Sequence, residues 1–268
     1  MRLKNIPRAD SVVHQSPFVV QDPENHRGAW GEIFGNHNPI RLEVGTGKGH
    51  FLLTLAEQNP DINYVGLEKY SSALLRGVEV QNEKKLPNLR FIRGDAELLT
   101  EYFGPGEVDR IYLNFSDPWP KDRHAKRRLP SRYFLARYDV ILKDGGQIEF
   151  KTDNRPLFDF ALEEAQPGGF EVIACTFDLH HDPVMNEGNV MTEYEKKFSQ
   201  LGTPICKYIL KRKEGFDPKE RSRMQKEVIV GAKQKATAIQ SWEEEERGTA
   251  PEEAPSSVYD FESPCTHR

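Results

Sequence analysis

The sequence predicts an α/β fold, a seven-stranded, mostly parallel, doubly wound sheet with one antiparallel edge strand. Three observations predict it. From residue 40 onward, short apolar runs alternate with longer amphipathic stretches, the pattern of strands joined by helical crossovers. The first apolar run feeds straight into a glycine-rich turn, GTGKG at 45–49, at the place where such sheets open toward ligands. The last two apolar runs have no full helical crossover between them, so they pair as an antiparallel, hairpin-like edge.

Each element follows from local chemistry. IRLEV (40–44) reads as a buried strand. The stretch from His50 to Gln58 reads as a helix that stops near Pro60, because proline cannot continue it. YVGLE (64–68) is a second strand and Ser71 to Lys85 a second helix. LRFI (89–92) and RIYLNF (110–115) are the third and fourth strands. Ser131 to Leu142 is helical and stops before Gly145-Gly146, a C-terminal glycine signal. QIEFKT (147–152) is the fifth strand, followed by a helix from Pro156 to Gln166 with proline in its first turn. FEVIACTFDL (170–179) and ICKYILKR (205–212) complete the seven.

The ends differ from this body. Residues 1–25 are expected to form a polar, basic N-terminal arm, and 26–213 one globular domain. Residues 214–268 form a C-terminal extension with EEEE at 243–246, whose second half has the composition of disorder. Met224 to Gln240 is expected to be helical within it. No apolar run is long enough to span a bilayer and the start has no secretory-type apolar stretch. The three cysteines are far apart and form no CxxC, which argues against a disulfide framework or a metal site and for a reducing cytoplasm. The sequence leaves monomer and homodimer equally open.

The net charge of −5 hides an uneven distribution. Residues 214–268 carry 12 acidic and 8 basic side chains, leaving about −1 for residues 1–213. Within that body Lys121, Arg123, Lys126, Arg127, Arg128 and Arg132 face a single acid, Asp122. Such a local field holds phosphates on an otherwise neutral protein, although many charged runs are only solvated surface.

The glycine turn separates two ligand classes. Gly45, Gly47 and Gly49 follow Glu43 with G-x-G-x-G spacing, whereas a dinucleotide fingerprint places its third glycine one residue later. A carboxylate at 43 repels a pyrophosphate and attracts a cation. S-adenosyl-L-methionine carries both an ammonium and a sulfonium, so it suits this turn better than NAD. Glu68, at the end of the second strand, is placed to accept from ribose hydroxyls. Asp95, after the third, is placed to accept from an adenine amino group or to cap a short helix.

After the fourth strand comes NFSDPWPKDRHAKRRL (114–129). Two prolines stiffen it and present Asp117 and Trp119 at the sheet's carboxyl edge. Asp153 in KTDN (151–154) ends the fifth strand at the same edge. In NVMTEYEKKF (189–198), Thr192 and Glu195 have capping-box spacing. Trp119 and Tyr194 serve equally as core residues or as stacking surfaces for a base.

These motifs resemble the bacterial tRNA (guanine-N7)-methyltransferases. LEVGTGKGHF (42–51), GLEKY (66–70), FSDPWPKDRHAKRRL (115–129), KTDN (151–154) and NVMTEYEKKF (189–198) carry the resemblance, which spans roughly residues 26–213. It implies the seven-stranded methyltransferase sheet, S-adenosyl-L-methionine as cofactor, and tRNA as partner, with guanine 46 of the variable loop as target. It implies Asp117 as catalytic residue and Glu43, Gly45, Gly47, Glu68, Asp95 and Asp117 as cofactor contacts. Lys121, Asp153, Thr192, Glu193, Tyr194 and Glu195 are implied as contacts to the target nucleotide, and Arg123, His124, Lys126, Arg127 and Arg128 as RNA contacts. Asp153 and Glu195 are expected to accept from guanine N1–H and its 2-amino group. Asp122 interrupts the basic run where a second lysine is common, and residues after about 213 extend past the family's usual end. Two rival readings are a nicotinamide-dependent dehydrogenase, which the glycine spacing and Glu43 oppose, and a non-catalytic RNA-binding protein on the same fold.

Overall fold

Strands covered on both faces read as continuous apolar runs rather than alternating ones, and the middle of this sheet has that signature. The computed structural model of the chain describes residues 5–248. Its strands are β1 (Val19–Val20), β2 (Ile40–Val44), β3 (Asn63–Glu68), β4 (Leu89–Arg93), β5 (Val108–Asn114), β6 (Leu142–Thr152), β7 (Phe170–Thr176) and β8 (Cys206–Arg212). Its helices are α1 (Ala9–Gln15), α2 (Trp30–Phe34), α3 (His50–Gln58), α4 (Ser71–Lys84), α5 (Leu99–Tyr102), α6 (Arg132–Ile141), α7 (Arg155–Ala165), α8 (Glu193–Gln200) and α9 (Pro218–Gly248). The strand order is β1-β4-β3-β2-β5-β6-β8-β7.

From β1 to β6 every neighbouring pair is parallel. β8 then runs antiparallel between β6 and β7, giving the expected antiparallel pair at one edge. The strand count is corrected from seven to eight. The added strand, β1, is two residues paired with Phe91 and Ile92 of β4. A pair of valines is too short for periodicity to mark.

The residues before 26, read as an arm, fold back on the sheet. α1 lies against α4 with Ala9 and Val13 buried, and the Ile6 amide donates to Ser72 Oγ at 3.0 Å. The main core lies between the sheet and α6 and α7, where Leu42, Ile111, Ile148, Phe150, Leu135 and Phe158 have no exposed surface. Each such side chain contributes roughly 1.5–3 kcal/mol of burial. Phe51, Leu52, Leu74 and Val78 cover the opposite face.

The extension after 213 supplies α9, which contains the predicted Met224–Gln240 helix. Val228 and Ala232 are buried in the main core. Asp139, 4% exposed, accepts from Arg212, Arg221 and Gln225, which ties α9 to α6 and β8. The disorder expected toward residue 268 falls outside the described residues from 249 onward. Among the described residues no helix is long and apolar enough to cross a membrane.

Candidate active site at the carboxyl edge of the sheet

Parallel strands end side by side, so the residues at their carboxyl ends form a row whose spatial order is the strand order. Here that row reads Asp95, Glu68, Glu43, Asn114 and Asp153, from β4 through β3, β2 and β5 to β6. Asp117 follows β5 by three residues. The acids predicted from four separate motifs therefore converge on one edge.

The glycine turn makes this possible. Gly45, Gly47 and Gly49 all have positive φ, at 81°, 53° and 69°, a region that side chains disfavour. A Cβ on Gly49 would also lie 2.9 Å from the Phe91 ring. The turn brings the Gly47 amide to donate to Glu68 Oε2 at 3.0 Å. Glu68 Oε1 accepts from the Lys69 and Tyr70 amides at 2.9 and 3.1 Å. A carboxylate has about four acceptor sites, so Glu68 keeps room for one further donor rather than two.

Glu43 is 2% exposed. Its carboxylate accepts from Thr46 Oγ1 and, at 2.7 Å, from Asn114 Nδ2. Burial pushes it up to about 7, against those two hydrogen bonds and the charge of Lys151. Burial raises Glu68 as well, with its backbone donors opposing and Asp117 adding. Asp95 goes the other way. Its burial is outweighed by hydrogen bonds from Lys235, the Glu97 amide and Lys69, which hold it down to about 2.

Two cavities open on this edge and share Gly45 and Phe115 in their walls. One, about 610 Å³, is lined by Glu68, Asp95, Ser116, Asp117, Trp119 and Lys235. The other, about 600 Å³, is lined by Glu43, the glycine turn, Asn114, Thr192, Glu193 and Tyr194. The Ser116 hydroxyl is buried without a hydrogen-bond partner. A buried polar atom of this kind marks a place for a ligand group or water. Phe115 and Trp119 sit at φ 51° and 41°, so the NFSDPW loop holds two strained side-chain-bearing residues, as functional loops often do.

The basic stretch forms a 3-10 turn, Asp122–Arg127. Lys121, Arg123, Lys126 and Arg127 are exposed, and His124 meets the Trp119 ring edge-on at 5.6 Å. The Arg127 guanidinium lies 5.1 Å from the Trp119 ring centre. Arg128 differs from these. Its side chain is 11% exposed, donates to the Pro118 and Trp119 carbonyls at 3.1 and 3.0 Å, and lies over Phe160. It fixes the loop instead of facing solvent.

The α8 segment divides similarly. Thr192 caps the helix, and Glu195 closes the capping box. Glu195 has no exposed surface. Oε2 takes Lys151 Nζ at 2.7 Å and Oε1 takes Asn189 Nδ2 at 2.8 Å. In this structure Glu195 faces Lys151 and Asn189 and lines neither cavity. Tyr194 is exposed, stacks on Phe198 at 4.2 Å and donates to Asp153 Oδ2 at 3.3 Å. Glu193 pairs with Lys48 across the cavity mouth at 2.7 Å.

Sequence reasoning missed Thr46, Asn114, Ser116, Lys151 and Lys235. Asn114 and Lys151 sit on predicted strands at the right edge, a weak signal. Lys235 has no motif around it.

The chain matches the family described as "Putative methyltransferase" over residues 37–208. It is 56% identical over 214 residues to the tRNA (guanine-N(7)-)-methyltransferase of Lachnoclostridium phytofermentans, covering 80% of this chain and 100% of that one. It is 46% identical over 206 residues to the same enzyme of Bacillus subtilis, covering 76% and 96%. Among solved structures, the 16S rRNA methyltransferase KamB superposes with a TM-score of 0.53 at 16% identity, over 67% of this chain and 90% of that one, a likeness of fold. With matches of that depth along most of its length, the chain belongs to the tRNA (guanine-N7)-methyltransferase family.

Proposed function

We propose that this protein transfers the methyl group of S-adenosyl-L-methionine to N7 of guanine 46 in the variable loop of tRNA. The observation that carries the donor half is the carboxylate row Asp95–Glu68–Glu43 beside the glycine turn. The Asp95 and Glu68 carboxylates suit an adenosine, with the unpartnered Ser116 hydroxyl in the same cavity, and Glu43 suits an ammonium. The acceptor half is supported by the relatives' activity and by the exposed Lys121, Arg123, Lys126 and Arg127 at the same edge.

When bound, the cofactor supplies a methyl group on a sulfonium, ready for in-line displacement. Guanine N7 carries a lone pair and no proton, so the protein needs no general base. Its task is alignment, worth up to roughly 7–11 kcal/mol. Asp117, exposed beside Glu68 and the loop, is assigned to placing the base against the methyl group. A carboxylate there also favours the positive charge that develops on the purine. With Glu195 buried, recognition of guanine N1–H and the 2-amino group falls to Asp153, and Tyr194 offers the ring surface for stacking. Lys121, Arg123, Lys126 and Arg127 hold phosphates, with His124 beside them. The target is a loop guanine, because N7 faces the deep, narrow groove of an A-form helix.

The test is incubation of unmodified tRNA with labelled cofactor, followed by borohydride and aniline treatment. Strand scission at guanine 46 is the expected result. Cofactor binding without methyl transfer would favour the non-catalytic RNA-binding reading.

A further inference from the structure

α9 lies outside the family-matched residues 37–208, yet it reaches the donor cavity. Gln225, Val228, Ala232 and Lys235 follow one another at helical spacing along one face. Gln225 donates to the buried Asp139 at 2.7 Å, and Val228 and Ala232 are buried. That face is therefore fixed to the core, and it delivers Lys235 to the cavity wall. Lys235 Nζ lies 2.8 Å from Asp95 Oδ2 and 2.6 Å from Glu97 Oε2.

The acceptor count at Asp95 shows what this does. Oδ1 takes the Glu97 amide at 2.9 Å. Oδ2 takes Lys235 and, at 2.9 Å, Lys69. Of about four acceptor sites on a carboxylate, one remains, on Oδ1. The lysines thus hold Asp95 ionised, fix its rotamer, and leave a single acceptor for a ligand N–H. Lys235 also neutralises Glu97, which otherwise places a second carboxylate close to Asp95.

We propose that α9 completes the donor pocket, with Lys235 as a positioning residue that orients Asp95 to receive the exocyclic amino group of an adenine. This rests on the reading of the pocket as an S-adenosyl-L-methionine site. The appended helix is then part of the enzyme's binding machinery and not a passive tail.

Calorimetry on the full chain tests it with two probes, S-adenosyl-L-methionine and S-adenosylhomocysteine. Both carry the same adenosine, and only the first carries the sulfonium charge. Lys235→Met keeps most of the aliphatic stem and removes the ammonium. It is expected to raise the Kd of both probes by about five- to tenfold. The KM for the cofactor should rise in step, with kcat and the KM for tRNA unchanged. Lys235→Arg should restore most of the affinity, because it returns a donor to the same two carboxylates. A thermal midpoint within about 2 °C of the parent excludes general unfolding as the cause.

Unchanged affinity in Lys235→Met overturns the inference. So does tighter binding of the sulfonium probe alone, which is what simple charge repulsion between Lys235 and the cofactor predicts. If the parent protein binds neither probe, the pocket reading itself fails. If the parent binds both and the variant binds them equally well, only the role of Lys235 fails.

Discussion

The two halves of the carboxyl edge are built on different principles. On the β2–β4 side, Glu43, Glu68 and Asp95 are held by protein donors before any ligand arrives, through Thr46 and Asn114, three backbone amides, and Lys69 with Lys235. On the β5–β6 side, Asp117, Lys121, Arg123, Lys126, Arg127 and Tyr194 are exposed. A small ligand of constant shape rewards a preorganised pocket, since little ordering remains to be done on binding. On the proposed reading an RNA enters on the β5–β6 side, presents one base and leaves, and that side is open and charged. Catalysis on that reading needs both sides, and the loop after β5 joins them: its Asp117 and Trp119 share a cavity with Glu68 and Asp95, and its Phe115 also lines the cavity of Glu43 and Tyr194.

The comparison is broken most sharply at that meeting point. Asp117→Ala should lower methyl transfer by about a hundred- to thousandfold while leaving the thermal midpoint within about 1–2 °C, since the side chain is exposed. Cofactor affinity measured without tRNA should change far less than turnover. Near-normal turnover would remove Asp117 from its assigned role and move the junction elsewhere.

Glu43 tests whether the closed half gives up stability for binding. Its carboxyl sits at about 7 in the fold, raised from 4.5, so the fold favours the neutral form. Between those values the unfolded chain loses the proton first, and stability falls as pH rises, levelling above 7. The fall amounts to about 3 kcal/mol at most. Glu43→Gln cannot ionise and can keep partners at Thr46 and Asn114. It should therefore match the parent at pH 4.5 and melt a few degrees higher at pH 8. On the proposed reading, in which Glu43 faces the ammonium, the same variant should bind S-adenosyl-L-methionine about tenfold more weakly. Equal melting curves at pH 8 would show that burial does not raise the Glu43 carboxyl in the fold.

How far the sequence could be read follows the same division. The strand-end acids were legible because strand ends, glycine turns and prolines are local signals, and parallel topology then brings them together without further information. The antiparallel pair was legible for the same reason. Burial within one motif was not. Thr192 and Glu195 stand three residues apart in the α8 motif, and their capping-box spacing predicts the cap that forms. Nothing local predicted that Lys151, from a strand 44 residues earlier, would draw Glu195 fully inside. Lys235 was illegible for a stronger reason. Its partner Asp95 is 140 residues away, and only the packing of α9 on α6, α5 and the Ala96–Leu98 turn sets the distance. The two valines of β1 carry too little pattern to count as a strand.

The smallest expected effect gives the finest test, because it separates two neighbouring arginines that the sequence treats alike. Arg127 is exposed over Trp119, whereas Arg128 is nearly covered and donates to the carbonyls of Pro118 and Trp119. If Arg127 holds a phosphate, Arg127→Ala should raise the KM for tRNA severalfold and reduce the slope of log affinity against log salt by about 1. Arg128→Ala should leave that slope unchanged, because its charge faces the protein. It should instead lower kcat and the melting temperature, since two loop carbonyls lose their donor and the strained backbone at Trp119 loses its brace. A reduced salt slope in Arg128→Ala would mean that the guanidinium swings out to the RNA during binding. The loop would then be remodelled by its substrate, and the open half of the edge would owe its shape to the complex rather than to the free protein.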